Sequence, residues 1–310
     1  MNGIINVIKP MGMSSHQVVG YLRRLLNTKR VGHAGTLDPG AGGILTICVG
    51  QATKLVQFMV DYDKAYVAEM TLGLATSTQD GGGATEEVTT NFRITPKRLA
   101  DVMAQFRGEI EQIPPMASAV QVEGRRLYEL QRQGVTVERQ PRCVTISDLH
   151  INKIWNEYED ILTFGSRVLF YVECSKGTYV RTLCHDIGAK LGVGAHLSFL
   201  SRVRSGPFTF DNAYTLESIT DMVEDGDTSF LLPMTAALPD WPQVKVSPLA
   251  ENRIRHGNFI RPSDLLDVPQ ELHIDDQVFL LDLEGNVLAL GQVRDAGGLI
   301  CQPIRVFVEG

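Results

Sequence analysis

The sequence predicts an α+β protein with a large domain over residues 1–238 and a small all-β barrel over residues 239–310. Three observations lead there. A chain of 310 residues can bury one substantial core and still supply a second, smaller one. Up to Met234, strand-like runs alternate with capped, amphipathic helical stretches. From Trp241 onward the pattern changes to short apolar runs divided by turns.

The composition, 44% hydrophobic and 21% charged, is that of an ordinary globular protein. No apolar run reaches the roughly 18 residues of a membrane span, and MNGIINVIKP lacks the charged and apolar regions of a signal peptide. Five scattered cysteines without a CxxC pair argue against a zinc site or a disulfide framework and point to the cytoplasm. Net charge is −7, which disfavours indiscriminate binding to nucleic acid. Its distribution is uneven, however. Residues 1–60 carry Lys9, Arg23, Arg24, Lys29, Arg30 and Lys54 against the single acid Asp38, whereas the tail is acidic. One basic face on an acidic protein can still hold RNA.

Taken in order, Gly3–Ile8 reads as a strand ended by Lys9-Pro10. Ser14 or Ser15 then caps a helix with Val18, Val19, Leu22, Leu25 and Leu26 on one face and Arg23 and Arg24 on the other. Residues 30–43, RVGHAGTLDPGAGG, hold four glycines besides Gly32 and a proline, so they form a backbone-defined loop, anchored by the strand Ile44–Val49. The loop presents His33, Thr36 and Asp38. Asp38 could simply make an Asx-turn ahead of Pro39, or it could be a carboxylate held out for chemistry on a rigid scaffold.

A helix opens at Gly50–Val56, and Lys64–Leu72 alternates as a strand through Tyr66, Ala68, Met70 and Leu72. Residues 73–83 are a loop whose glycines lack the lysine and spacing of a P-loop. Thr95-Pro96 opens a helix that turns Leu99, Val102, Met103 and Phe106 inward. Val168–Ser175 is a strand leading to a helix in the second half of residues 176–188. Tyr179 and Arg181, two apart on extended backbone, would emerge on one face. In the tail, strands are read at Val244–Val246, Asn258–Pro262, Gln277–Asp282, Val287–Val293 and Ile304–Val308, with Glu284-Gly285-Asn286 as a hairpin turn.

Several of these stretches coincide with known signatures. GHAGTLDP at residues 32–39 resembles the signature of the TruB family of pseudouridine synthases, and KPMGMSS at residues 9–15 resembles that family's first motif. The KAY of Lys64–Tyr66, Asp80 in its threonine-bearing loop, GTYVRTL at residues 177–183 and GAHLSFLSR at residues 194–202 follow in family order. The stretch from Pro114 to Gly134 is similar to the family's thumb, an insertion placed here at about residues 115–142. Ala117 stands where a tyrosine is usual and Gln121 where lysine is frequent; Ser77 and Gly82 replace frequent acids.

This resemblance implies a mixed, largely antiparallel sheet flanked by helices, the pseudouridine synthase fold, with a C-terminal RNA-binding barrel of PUA type. It implies that Asp38 is the catalytic nucleophile, that Arg181 pairs with it, and that Tyr66 and Tyr179 lie against the target base. Lys9, His33, Thr36, Asp80, Leu200 and Arg202 would contact the RNA or line the pocket. An arginine beside a carboxylate favours its charged form, as a nucleophile requires. Uracil leaves as a delocalised anion, so one carboxylate could suffice where glycosidases use two. Asp38 could attack C1′ or C6, or assist elimination across the ribose. No metal and no cofactor is expected. The expected substrate is tRNA, gripped at the T-arm and acceptor end by a monomer that needs no guide RNA. Rival readings are a non-catalytic RNA-binding module and the guide-dependent branch of the family.

Overall fold

The computed structural model describes residues 1–118, 120–122, 124–155, 160–269, 272–295 and 299–307. The chain begins with β1 (Gly3–Lys9), α1 (Ser15–Leu25), β2 (Val31–His33), β3 (Gly42–Val49), the short α2 (Val56–Met59), β4 (Lys64–Leu72), β5 (Leu74–Thr76) and β6 (Thr85–Val88). It continues through α3 (Pro96–Ala104), β7 (Gly108–Gln112), β8 (Gln121–Val122), β9 (Arg125–Arg126), α4 (Leu127–Arg132), β10 (Arg142–Trp155), β11 (Arg167–Cys174), α5 (Val180–Leu191), β12 (Ala195–Ser205) and α6 (Leu216–Glu224). The last elements are β13 (Gln243–Val246), α7 (Pro248–Arg255), β14 (Leu265–Asp267), β15 (Gln277–Leu281), β16 (Val287–Asp295) and β17 (Leu299–Val306).

Eight strands form the main sheet in the order β1-β3-β12-β4-β11-β10-β7, with β2 alongside β3. Every pairing is antiparallel except β3–β12, which is parallel and only two residue pairs long. The sheet is thus mixed and largely antiparallel, as the resemblance implied. The run ILTICV in β3 is buried throughout, and all but Thr46 is apolar, because both its faces are covered. Leu45, Ile47 and Val49 join the core under α1, α3, α5 and α6, while Ile44 and Cys48 turn to a second core. The free edge of β1 is covered by residues that follow β12, through Ile4 with Leu232 and Ile8 with Tyr214.

Local rules account for the helices. Ser14, not Ser15, caps α1: its hydroxyl accepts from Gln17 N–H while the Gln17 side chain answers the Ser14 N–H, a capping box. Thr95 caps α3, with Pro96 in the first turn as expected. Between β7 and β10 the chain leaves the sheet edge as the β8–β9 hairpin and α4. These have their own small core of Met116, Leu127 and Leu130.

The tail departs from the expected barrel. Five strands in the order β14-β13-β15-β16-β17 make an open mixed sheet, with no closing pairing among the described residues. Nor is this unit all-β, since α7 buries Ala250 and Ile254 against it. The strand expected at Asn258–Pro262 reduces to one bridge, Ile260 with Cys301, because Pro262 opens a 3-10 turn instead. The hairpin at Gly285 is present, its turn held by Asp282 accepting from the Asn286 N–H. Phe279, Leu281, Leu290 and Phe307 share the second core with Ile4, Ile44 and Met59, so this sheet is packed on the back of β1 and β3. Val308, at the end of the expected last strand, lies outside the described residues.

Candidate active site

The loop between β2 and β3 is pinned on both sides of Asp38. Ser15 Oγ accepts from the Leu37 N–H at 2.8 Å and donates to the Leu37 carbonyl at 2.9 Å, and the Leu37 side chain is buried. The Pro39 carbonyl accepts from Gly12 N–H at 2.7 Å. The turn itself is made by backbone, Ala41 N–H to Asp38 C=O at 3.0 Å, rather than by an Asx side chain. The carboxylate is therefore left free for another partner, with its side chain 48% exposed.

That partner is Arg181, whose Nη2 lies 2.8 Å from Asp38 Oδ2. The Arg181 side chain is only 7% exposed, so its charge must be answered inside the protein. Nη2 also donates to the Ala117 carbonyl at 2.9 Å, and Nη1 faces Asp80 Oδ2 at 3.7 Å. The expected extended backbone is not what brings Tyr179 and Arg181 together. Tyr179 is the extended N-cap of α5, and Arg181 sits in the first helical turn. The guanidinium still lies 5.9 Å from the centre of the Tyr179 ring. Asp80 is fixed through its other oxygen, which accepts from Thr78 Oγ1 at 2.6 Å and from Gly82 N–H at 3.0 Å.

Beneath the loop, strand register assembles a row across the sheet. Lys9 pairs with Gly43, Gly43 with Arg202, and Arg202 with Tyr66. Gly43 must be glycine. Its φ is +98°, and a Cβ would lie 2.2 Å from the Arg202 carbonyl oxygen. Arg202 is 1% exposed and donates to the Ile44 carbonyl at 2.7 Å and the Gly35 carbonyl at 3.1 Å. Lys9, equally buried, donates to the carbonyls of Pro10 and Met13. Neither presents its charge to solvent, as an RNA contact would need. Each instead ties loop carbonyls to the sheet, because a buried cation must be hydrogen-bonded.

This packing shifts several ionisations. Burial lowers the Lys9 ammonium, with Asp38 acting against it and Arg202 with it. Burial and then Arg202 lower Lys64 to about 8, although Cys174, Asp63 and Asp61 oppose. Burial, Arg202 and His16 lower His33, which therefore favours its neutral form; its Nδ1 is buried without a hydrogen-bond partner among the described residues. Burial raises the Tyr66 phenol, and Arg202 partly offsets this.

Of the remaining expected residues, Thr36 is exposed two positions before Asp38. Leu200 is half-buried and pairs with Ala68, on the same sheet face as Arg202 and Tyr66. Four contributors went unread in the sequence: Ser15, Lys64, Gln79 and Gln112. Gln79, at φ +63°, accepts from Thr182 Oγ1 at 2.7 Å and so links the Asp80 loop to α5. Ser15 and Lys64 lie inside signatures that drew attention to their neighbours, whereas nothing local marks the two glutamines. Among the described residues no His, Cys, Asp and Glu side chains are grouped to hold a metal ion. The arrangement offers one half-exposed carboxylate, oriented by a buried guanidinium, beside two tyrosine rings.

Comparison with known proteins fits this geometry. Residues 23–180 match the model for the TruB family pseudouridylate synthase N-terminal domain, and residues 181–239 that for the tRNA pseudouridylate synthase B C-terminal domain. A tRNA pseudouridine synthase B from Symbiobacterium thermophilum is 49% identical over 83% of this chain and 82% of its own length. One from Halalkalibacterium halodurans is 45% identical over 100% of this chain and 98% of its own. Among solved structures, a chain from an H/ACA RNP bound to a substrate RNA containing 2'-deoxyuridine superposes with a TM-score of 0.71 at 28% identity, covering 99% of this chain and 85% of that one. A chain from a Cbf5-Nop10-Gar1 complex gives the same TM-score at 30% identity, with the same coverages. With the family models spanning residues 23–239 and relatives above 40% identity along the chain, this protein belongs to the TruB family of pseudouridine synthases and is an isomerase.

Proposed function

We propose that this enzyme converts the T-arm uridine at tRNA position 55 to pseudouridine without a guide RNA, with Asp38 as its nucleophile. The observation that carries this reading is the 2.8 Å ion pair between half-exposed Asp38 and buried Arg181. The reaction breaks C1′–N1, turns the uracil and forms C1′–C5; the proton lost from C5 is matched by one gained at N1. It is an isomerisation, so the atoms balance without a co-reactant. Asp38 attacks C1′ of the ribose or C6 of the base, or assists elimination across the ribose. Arg181 holds the carboxylate aimed throughout, and such preorganised electrostatics cost no reorganisation at the moment of reaction.

A stacked uridine must first be flipped out, at a cost of a few kcal/mol. In this reading Tyr66 and Tyr179 receive the base, His33 fills the gap it leaves, and Leu200 closes the pocket wall. Stacking on an aromatic contributes about 1–3 kcal/mol per base, enough to offset much of the flip. Asp80 steadies Arg181, Thr36 lies at the RNA side of the loop, and Lys9 and Arg202 shape the loop from below. The segment between β7 and β10 acts as the thumb on the T-arm. The C-terminal unit, residues 239–310, serves as a PUA-like module on the acceptor end. The enzyme works as a cytoplasmic monomer.

The likeness to chains from an H/ACA RNP and a Cbf5 complex favours a second reading, guide-dependent activity. The thumb segment with its own core supports the stand-alone form. One assay separates them: pseudouridine formation in an unmodified tRNA transcript, without guide RNA, by wild type and by Asp38→Asn. Turnover at position 55 by wild type, abolished in the variant while tRNA binding persists, is expected. Binding without turnover by wild type would overturn the proposal.

A further inference from the structure

We infer that Gln112 is a positioning residue of the active site, whose carboxamide sets the backbone of Tyr179 and with it the start of α5. The inference rests on the proposed roles of Tyr179 and Arg181. Gln112 ends β7, the edge strand of the main sheet, and is 2% exposed. Its Oε1 accepts from the Tyr179 N–H at 3.0 Å, and its Nε2 donates to the Tyr179 carbonyl at 3.3 Å. One side chain thus satisfies both backbone groups of a single residue 67 positions away. Helix α5 has no side-chain cap of its own. The Tyr179 carbonyl already accepts the first helical bond, from the Leu183 N–H at 3.0 Å, and gives its second lone pair to Gln112. Two residues further on, Arg181 meets Asp38.

The place of Gln112 in the fold gives this clamp a second meaning. Its backbone pairs with Arg142, so it stands where the segment between β7 and β10 leaves the sheet and returns to it. Five residues after Gln112, the Ala117 carbonyl accepts from Arg181. The stretch 112–117 therefore touches the stretch 179–181 twice, at the backbone of Tyr179 and at the guanidinium of Arg181. Through Gln112 and Ala117 the base of this segment meets both the aromatic and the arginine of the site.

Making both bonds takes a donor and an acceptor on one head group, which the carboxamide supplies. A glutamate here accepts from the N–H but sets a second oxygen against the Tyr179 carbonyl. Once protonated, it is a near-isostere of the amide and restores both bonds. Burial raises such a carboxyl's pKa toward neutrality. This chemistry supplies a readout that loss of packing alone does not produce.

The test measures single-turnover pseudouridine formation and tRNA affinity for wild type, Gln112→Glu and Gln112→Met between pH 6 and pH 8.5. At pH 8 both variants are expected to lose about tenfold to a hundredfold in rate at saturating tRNA, the scale of a 1 Å misplacement, with affinity within about threefold. Relative to wild type, Gln112→Glu should recover as pH falls, whereas Gln112→Met should not. Rates at saturation close to wild type, a loss confined to affinity, or a Glu-to-wild-type ratio flat with pH would each overturn the inference. Wild-type turnover on the same transcript keeps this outcome distinct from failure of the proposed function. Hydrogen exchange on the wild-type protein is independent of variant folding: the Tyr179 amide should be protected, and rapid exchange there would refute the clamp.

Discussion

Replacing Gly43 by alanine perturbs the one place where the loop strand β3 meets β12. At φ +98°, an L-residue pays about 1–2 kcal/mol in backbone strain alone. The new Cβ would also lie 2.2 Å from the Arg202 carbonyl oxygen, 2.8 Å from its nitrogen and 2.9 Å from Ser201 Oγ. Two of these are backbone atoms of a central strand, so relief requires the strands to part. Overpacking of this kind typically costs about 1–3 kcal/mol, which brings the total to about 2–5 kcal/mol. At about 2–4 °C per kcal/mol for a large domain, the Tm should fall by roughly 10 °C. Gly108→Ala is the matched control: its φ is +87°, but no atom lies within 4 Å of its Cβ, so it carries the backbone cost alone. Both are measured by thermal unfolding and by single-turnover rate. Gly43→Ala should also slow turnover, because Arg202 ties the Gly35 carbonyl of the Asp38 loop to β12. Equal Tm losses in the two variants would refute the steric argument.

Arg181→Lys keeps the charge but cannot reach Asp38, Asp80 and the Ala117 carbonyl together; turnover at saturating tRNA should fall by about a hundredfold or more, with binding retained, as single-turnover and filter-binding assays would show. Lys64 titrates at about 8 in the fold against 10.5 unfolded, so between those values the unfolded chain holds the extra proton and stability rises with pH. The full effect would be about 3 kcal/mol, of which solvent screening leaves about half. Denaturant unfolding at pH 7 and pH 10 should therefore shift in favour of wild type relative to Lys64→Met as pH rises; a constant difference would count against it. Ser14→Ala breaks the capping box of α1 and should cost about 1 kcal/mol, read as a small Tm loss without change in turnover.

What the sequence disclosed and what it withheld follow from the range of the interactions. Strands β1, β3, β4 and β11, and helices α1 and α3, announce themselves through periodicity and caps that lie within a few residues of one another. Helix α7 was equally legible, with Pro248 in its first turn and Ala250 and Ile254 four apart, but the short strands around it drew the whole tail into one pattern. Strand β10 was missed for a physical reason. Its alternation sets Val144, Ile146 and Leu149 against exposed polar neighbours, and irregular register at Ile146/Asp148 and Ile151/Lys153 blurs the period. Arg181 lies in an ion pair with Asp38, but the extended backbone expected to set Tyr179 and Arg181 on one face gives way to a helix start. Glutamine at the end of a strand has no local signature at all. Gln112 becomes informative only once the fold brings Tyr179 to it.

Three positions around the ion pair show how much of the site is built from backbone. Ala117 meets Arg181 through its carbonyl, which any residue supplies. Gly82 donates its N–H to Asp80. The Ser77 hydroxyl accepts from Ala84 N–H and its own N–H donates to the Ala84 carbonyl, closing the loop that carries Asp80. Lys9 and Arg202 likewise spend their charges on carbonyls. The side chains that must keep their identity are then few: Asp38 and Arg181 for the ion pair, and those whose chemistry no backbone group can reproduce. Gln112 belongs with them, because its amide answers both main-chain groups of Tyr179 at once.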